Sequence, residues 1–200
     1  MSANPFKPPA EGSLKRYAIV TFPRSGRRLL RWLLAAYQGP ECMPGYDLDA
    51  LEPRGVAVVT HDFRLDYDPG DRIPLVLIRS PLESFASWFL MNVKDGSRPD
   101  TEAEFTHMIH DEALPYWSRF VRKWVRPAPQ SVFHYEELMS DPGLVLKRAL
   151  EALGLVPDED RIRRVLELEE IHPRNNPLRD FRYYQDPAAV EAIRNKLEQV

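Results

Sequence analysis

The sequence predicts an α/β fold: a central parallel sheet of about four or five strands flanked by helices, in three layers. Three observations predict it. Short apolar runs alternate with longer amphipathic ones along the chain. The apolar runs do not alternate polar with apolar, as expected of strands covered on both faces. Polar groups stand at or just past the ends of three of these runs (Arg24, His61 and Arg79), where open parallel sheets bind their ligands.

Residues 1–14 are rich in Pro and small polar residues and read as a loose leader to a single domain spanning 15–200. Tyr17–Phe22 is β-branched and aromatic, the composition of a buried strand. Pro23-Arg24-Ser25-Gly26 supplies turn chemistry, and from Arg27 the spacing of Leu29, Leu30, Leu33 and Leu34 is helical. Residues 38–54 have loop composition. Gly55–Thr60 is a second strand, Pro74–Arg79 a third, and Ser80-Pro81 opens a helix through about Met91. Glu102–Val125 reads as one or two helices with Phe105, Trp117, Phe120, Val121 and Trp124 facing the core. Ser131–Tyr135 is a fourth strand, followed by a short acidic turn. Helices are expected over Pro142–Leu153, ended by Gly154, over Asp158–Glu170 and over Pro187–Val200, with an irregular basic and aromatic segment between His172 and Tyr184.

Composition narrows the function classes. Lys and Arg total 27 against 30 Asp and Glu, a net charge of −3 that argues against a dedicated nucleic-acid binder. The single cysteine, Cys42, forms no intrachain disulfide, which fits a reducing cytoplasm. No apolar run approaches the roughly 20 residues of a membrane-spanning helix, and the first residues lack the apolar core of a signal peptide. His107, His110 and His172 make no metal-ligand spacing with a carboxylate or Cys, so no metal site is expected.

The stretch from Tyr17 to Leu34 is the one that carries chemistry. A strand, a small-residue loop and a helix opening on basic residues form an anion cradle: the first helical N–H groups are unpaired and lie at the positive end of the macrodipole. Gly26 lets the backbone approach an anion without an intervening Cβ. Arg24, Arg27 and Arg28 add fixed charge and forked donors. The nucleotide motif G-x-x-x-x-G-K-[ST] is not met, since there is one Gly, no following Lys and no Ser/Thr for Mg²⁺. The competing reading is a surface turn with solvated arginines.

These residues resemble the sulfotransferases that use 3′-phosphoadenosine 5′-phosphosulfate (PAPS), whose fold is P-loop-NTPase-like. In that family T-Y-P-K-S-G-T-T-W-L binds the 5′-phosphosulfate; here the stretch is Thr21-Phe22-Pro23-Arg24-Ser25-Gly26-Arg27-Arg28-Leu29-Leu30. An Arg ending a strand and a Ser eight residues on hold the 3′-phosphate in the family, matched by Arg79 and Ser87. Its K-T-H base is matched by Val59-Thr60-His61, and its F-Y-E-D segment, with a Tyr near the adenine, by Phe133-His134-Tyr135-Glu136-Glu137-Leu138. Arg174-Asn175-Asn176-Pro177-Leu178-Arg179-Asp180-Phe181 is similar to R-K-G-x-x-G-D-W and keeps Arg174 and Asp180. The resemblance runs from Tyr17 to Tyr184.

The resemblance implies sulfuryl transfer from PAPS to a hydroxyl or amine of a small molecule, glycan or lipid, with adenosine 3′,5′-bisphosphate as product. It makes His61 the general base and Arg24 the stabiliser of the transferring group. Arg24, Ser25, Gly26, Arg27, Arg28, Arg79, Ser87, Tyr135 and Arg174 become nucleotide-binding residues. Leu29 replaces the family's adenine-stacking Trp, Val59 its Lys before the base, and Arg27-Arg28 its two Thr. Two other readings stay open: a non-catalytic descendant that binds adenosine bisphosphate or a partner protein, and a P-loop-type kinase or nucleotide hydrolase. By residue alone, Asp62 is either an alternative base or a cap, Arg79 an anion ligand or an ion-pair partner, and Tyr135 a ligand contact or core.

Overall fold

A computed structural model describes residues 16–38, 57–167 and 186–200. Arg174, Asp180, Cys42, His172 and the 1–14 leader lie outside them. The described residues divide into two compact units: one takes 16–21, 25–38, 57–78 and 130–167, the other 22–24, 79–129 and 186–200.

The first unit holds the sheet. Strands β1 (Tyr17–Thr21), β2 (Ala57–Thr60), β3 (Ile73–Ile78) and β4 (Val132–His134) lie in the order β2-β1-β3-β4, every pair parallel. The fold is therefore α/β with a four-stranded, all-parallel sheet among the described residues. Burial follows the period of two that a strand imposes. Tyr17 and Ile19 of β1 and Leu75 and Leu77 of β3 enter one core, while Ala18, Val20, Val76 and Ile78 on the opposite face are buried as well. These two central strands are the continuously apolar runs of the sequence. The flanking strands depart from that expectation: β2 is half-buried along its length and β4 ends on exposed His134, because both sit at sheet edges.

Helix α1 (Arg27–Gln38) lays Leu30, Leu33 and Leu34 into that core against α6 (Pro142–Ala152) and α7 (Glu159–Glu167). The acidic turn expected after β4 is a short helix, α5 (Tyr135–Ser140). Glu136 and Glu137 stand in its first turn, where the helix dipole favours negative charge, and Leu138 buries its face. Asp141 then caps α6, its Oδ1 accepting from the N–H of Leu144 at 2.9 Å. Gly154, at φ +70°, ends α6, with Leu155 N–H donating back to the Leu150 carbonyl.

The second unit is helical: α2 (Pro81–Lys94), α3 (Glu102–His107), α4 (Leu114–Phe120) and α8 (Pro187–Glu198). The single long helical reading of 102–125 is interrupted by two wider, π-helical stretches at Met108–Ala113 and Val121–Val125. Phe105, Trp117, Phe120 and Trp124 are buried, as their spacing predicted, and Val121 is half-buried. Arg98 clamps the start of this region, with Nη1 on Glu104 and Nη2 on Glu112.

The aromatic centre of this unit is Phe22. Its ring lies 4.8 Å from Trp117, 5.2 Å from Tyr116, 5.7 Å from Phe120 and 5.9 Å from Phe85, centroid to centroid. A fully buried ring so surrounded contributes both area and quadrupole-favoured edge contacts. Phe22→Ala is therefore expected to cost roughly 3–5 kcal/mol of unfolding free energy in urea titrations, and Phe22→Leu clearly less.

Helix α8 is tied to the same unit by Lys196, whose Nζ donates to His110 Nδ1 at 3.0 Å, and by Arg126 on the Val200 carbonyl. That bond needs a neutral imidazole. Burial, and then the Lys196 charge, hold His110 below its usual pKa, with Asp111 opposing. Protons thus favour the unfolded chain: the contribution is intact above the unfolded value near 6.5 and shrinks as pH falls below it. The urea midpoints of wild type and His110→Gln are expected to differ most at pH 7.5, and the difference to narrow as pH falls below 6.5.

Candidate functional site

In the first unit the parallel register sets Val20 beside Thr60, so the next residues, Thr21 at the end of β1 and His61 just past β2, stand side by side. His61 Nδ1 lies 2.9 Å from the Thr21 carbonyl oxygen and 2.9 Å from Thr21 Oγ1. A carbonyl only accepts, so Nδ1 carries the proton and Nε2 is the basic nitrogen of the neutral ring. The strand end thereby orients the imidazole and selects its tautomer.

Asp62, also at this strand end, is engaged differently. Its N–H donates to Thr60 Oγ1 and its carbonyl accepts from Leu65 N–H. Its Oδ1 accepts from Tyr67 N–H at 2.9 Å. Asp62 is buried with φ +48°, and Leu65 has φ +58°. The carboxylate ties down the 62–67 turn, which is the capping alternative of the sequence reading.

Before α1 the structure joins Ser25, Gly26 and Tyr135. Gly26 has φ +85°, a left-handed conformation, and its carbonyl accepts from Leu29 N–H at 3.0 Å. A Cβ at this position would stand 2.6 Å from Cδ2 of the Tyr135 ring. The missing Cβ therefore makes room for Tyr135, a more specific reason for glycine than the approach of an anion. Ser25 is 1% exposed, and its Oγ has no hydrogen-bond partner. An unsatisfied buried hydroxyl is costly, and it sits where a helix opens with no acidic residue in its first turn. Arg27 is half-buried and Arg28 exposed at the same end.

In the second unit, Arg24 and Arg79 address one face of α2. Arg79, only 8% exposed, donates from Nε at 3.0 Å and Nη2 at 2.7 Å to the same oxygen of Glu83. Arg24 donates from Nε to Ser87 Oγ at 3.1 Å and from Nη1 to Met91 Sδ at 3.6 Å. Glu83, Ser87 and Met91 follow one another at i, i+4 and i+8 on α2, a single helical stripe. The two guanidinium groups are thus set along one line. Arg24 has φ +65°, uncommon for a residue with a side chain. The sequence paired Ser87 with Arg79; the structure gives its hydroxyl to Arg24.

Three contributors escaped the sequence reading. Glu83 carried a legible signal, the i, i+4 offset from Arg79. Thr21 needed the β1–β2 register to be known. Met91 stood only as the last residue of a helix. Among the described residues no group of His, Cys, Asp and Glu forms a metal-binding cluster, and no helix is long and apolar enough to cross a membrane. The sequence matches no protein-family model, and no curated protein matches it.

Gly26→Ala is expected to destabilise the fold by at least about 1 kcal/mol from its left-handed backbone alone. Adding Tyr135→Ala should recover the steric part but not the backbone part. The recovery reads as a positive coupling in a double-mutant cycle followed by urea unfolding.

Proposed function

We propose that this chain is a PAPS-dependent sulfotransferase with a P-loop-like, three-layer fold, acting in the cytoplasm on a hydroxyl or amine acceptor. The reading rests on the resemblance of the motifs. The observation that carries it furthest is the pair of arginines along one stripe of α2, Arg24 at Ser87 and Arg79 at Glu83. In this reading Ser25, Gly26, Arg27 and Arg28 take the 5′-phosphosulfate, and the buried Ser25 hydroxyl gains the partner it lacks. Arg79 and Ser87 take the 3′-phosphate, with Tyr135 and Arg174 completing the nucleotide set.

In this reading each residue has its own chemical task. The acceptor oxygen or nitrogen attacks sulfur, the bond from sulfur to the phosphate oxygen breaks, and adenosine 3′,5′-bisphosphate leaves. Arg24 stabilises charge gathering on the sulfuryl and bridging oxygens, an electrostatic role. His61 takes the acceptor proton on Nε2, because Nδ1–H is already given to Thr21. The imidazolium so formed keeps that carbonyl as a partner. Asp62 is committed to the 62–67 turn, which favours His61 as the base.

The Arg79–Glu83 ion pair favours one competing reading, a descendant that does no chemistry, because the anion partner of Arg79 is already supplied by the chain. Thermal-shift titration with adenosine 3′,5′-bisphosphate, ATP and GTP, followed by turnover of labelled PAPS with an acceptor panel, separates the readings. The bisphosphate alone should raise the melting temperature; at 100 times its Kd it adds about 2.7 kcal/mol of stability. A shift with ATP and Mg²⁺ instead points to a kinase or hydrolase, and a shift without turnover to the non-catalytic descendant. His61→Ala should lose roughly 10²–10⁴-fold in turnover with bisphosphate affinity unchanged. Unaltered turnover in that variant overturns the assignment of the base.

A further inference from the structure

We propose that Met91 is a redox modification site: a peroxide converts it to the sulfoxide, and the new oxygen holds the Arg24 guanidinium on α2. The consequence for turnover rests on the sulfotransferase reading, whereas the modification and its partner do not. The observations all lie within the helical unit.

Met91 stands near the end of α2 and is 39% exposed. Of the other described methionines, Met108 is fully buried and Met139 half-buried. An oxidant must reach sulfur to react, so Met91 is the described methionine most open to it. Its neighbour sets it apart from an ordinary surface methionine. Arg24 Nη1 donates to Met91 Sδ at 3.6 Å, across 67 residues of sequence. A charged donor is thus aimed at a sulfur that accepts only weakly.

Oxidation changes the acceptor and leaves it in place. The sulfur attacks one oxygen of hydrogen peroxide; the O–O bond breaks and an S–O bond forms. Sulfur loses two electrons, and the other oxygen leaves as water. The sulfoxide oxygen is a strong acceptor, one bond from a sulfur that Nη1 already meets. Met has three rotatable bonds, so a small adjustment sets that oxygen at hydrogen-bond distance. The bond is then charge-assisted, about twice as strong as one between neutral groups. Nε of the same guanidinium donates to Ser87 Oγ at 3.1 Å, so two nitrogens of the fork are held along α2.

Exposure also decides that the fold survives the change. A polar oxygen at Met91 keeps its contact with water, whereas at Met108 it would enter the core. The modification therefore acts on Arg24 rather than on packing. An anion at Arg24 has to compete with the sulfoxide and binds less well; in the sulfotransferase reading that anion is the phosphosulfate.

The full-length chain is treated with a mild dose of hydrogen peroxide, and the sulfoxides are located by peptide mass mapping. Met91 should oxidise ahead of Met139 and Met108. Oxidation should lower the urea midpoint more in Arg24→Gly, where the sulfoxide has no guanidinium to meet, than in wild type. Glycine keeps the left-handed backbone of position 24, φ +65°, without steric cost. In wild type, oxidation should weaken adenosine 3′,5′-bisphosphate binding and slow PAPS turnover, each roughly three- to tenfold. Methionine sulfoxide reductases should reverse both losses, and Met91→Leu should keep its own affinity and rate through the same treatment. If the urea difference appears but the bisphosphate does not bind even the reduced protein, the Met91–Arg24 site stands and the sulfotransferase reading falls. The assignment of Met91 is overturned if Met139 or Met108 oxidises first, or if oxidation costs wild type and Arg24→Gly equally. It is overturned as well if the bisphosphate binds and PAPS turns over but oxidised wild type matches reduced, or if Met91→Leu loses as much as wild type.

Discussion

The burial of Phe22 is the constraint on which the helical unit depends. Its side chain is closed among Phe85, Tyr116, Trp117 and Phe120. Arg24 takes a left-handed backbone and reaches Ser87; Ser25 turns inward; Gly26 turns left-handed again under the Tyr135 ring.

Backbone strain elsewhere falls in the same kind of place. The non-glycine residues with positive φ among the described ones are Arg24, Asp62 and Leu65. The first is in the loop after β1 and the other two are in the turn after β2, both at the carboxyl ends of parallel strands. Strain gathers at functional positions because only a well-braced scaffold can sustain it. Here the braces are identifiable: Ser87 and Met91 for Arg24, and Thr60 with the Tyr67 amide for Asp62.

Much of this was legible in the sequence, and the remainder was not for physical reasons. Ala18, Val20, Val76 and Ile78 announced buried central strands because both faces of β1 and β3 are covered. The edges were less legible, since the composition of GVAVVT does not say which strand will lie outermost. The acidic stretch after β4 looked like a turn, because a six-residue helix leaves little periodicity to read. The strand-end residues Arg24, His61 and Arg79 stood out at once, yet their partners did not. Thr21 meets His61 only through a parallel register across 40 residues, and Ser87 meets Arg24 across 63. Spacing along a chain shows neither.

The Arg79–Glu83 pair shows what a chain must do to keep a buried strand-end arginine in place. A guanidinium buried to this depth is costly without a negative partner, and removing that partner from a buried pair is more costly than never forming it. Glu83 meets that need from one turn along α2, and it is itself more than a third exposed. Its own desolvation is small, so little holds it in place beyond the pair. The pair keeps the arginine oriented at the end of β3. In the sulfotransferase reading proposed above, a phosphate at Arg79 would have to displace this partly solvated carboxylate, which can turn to water.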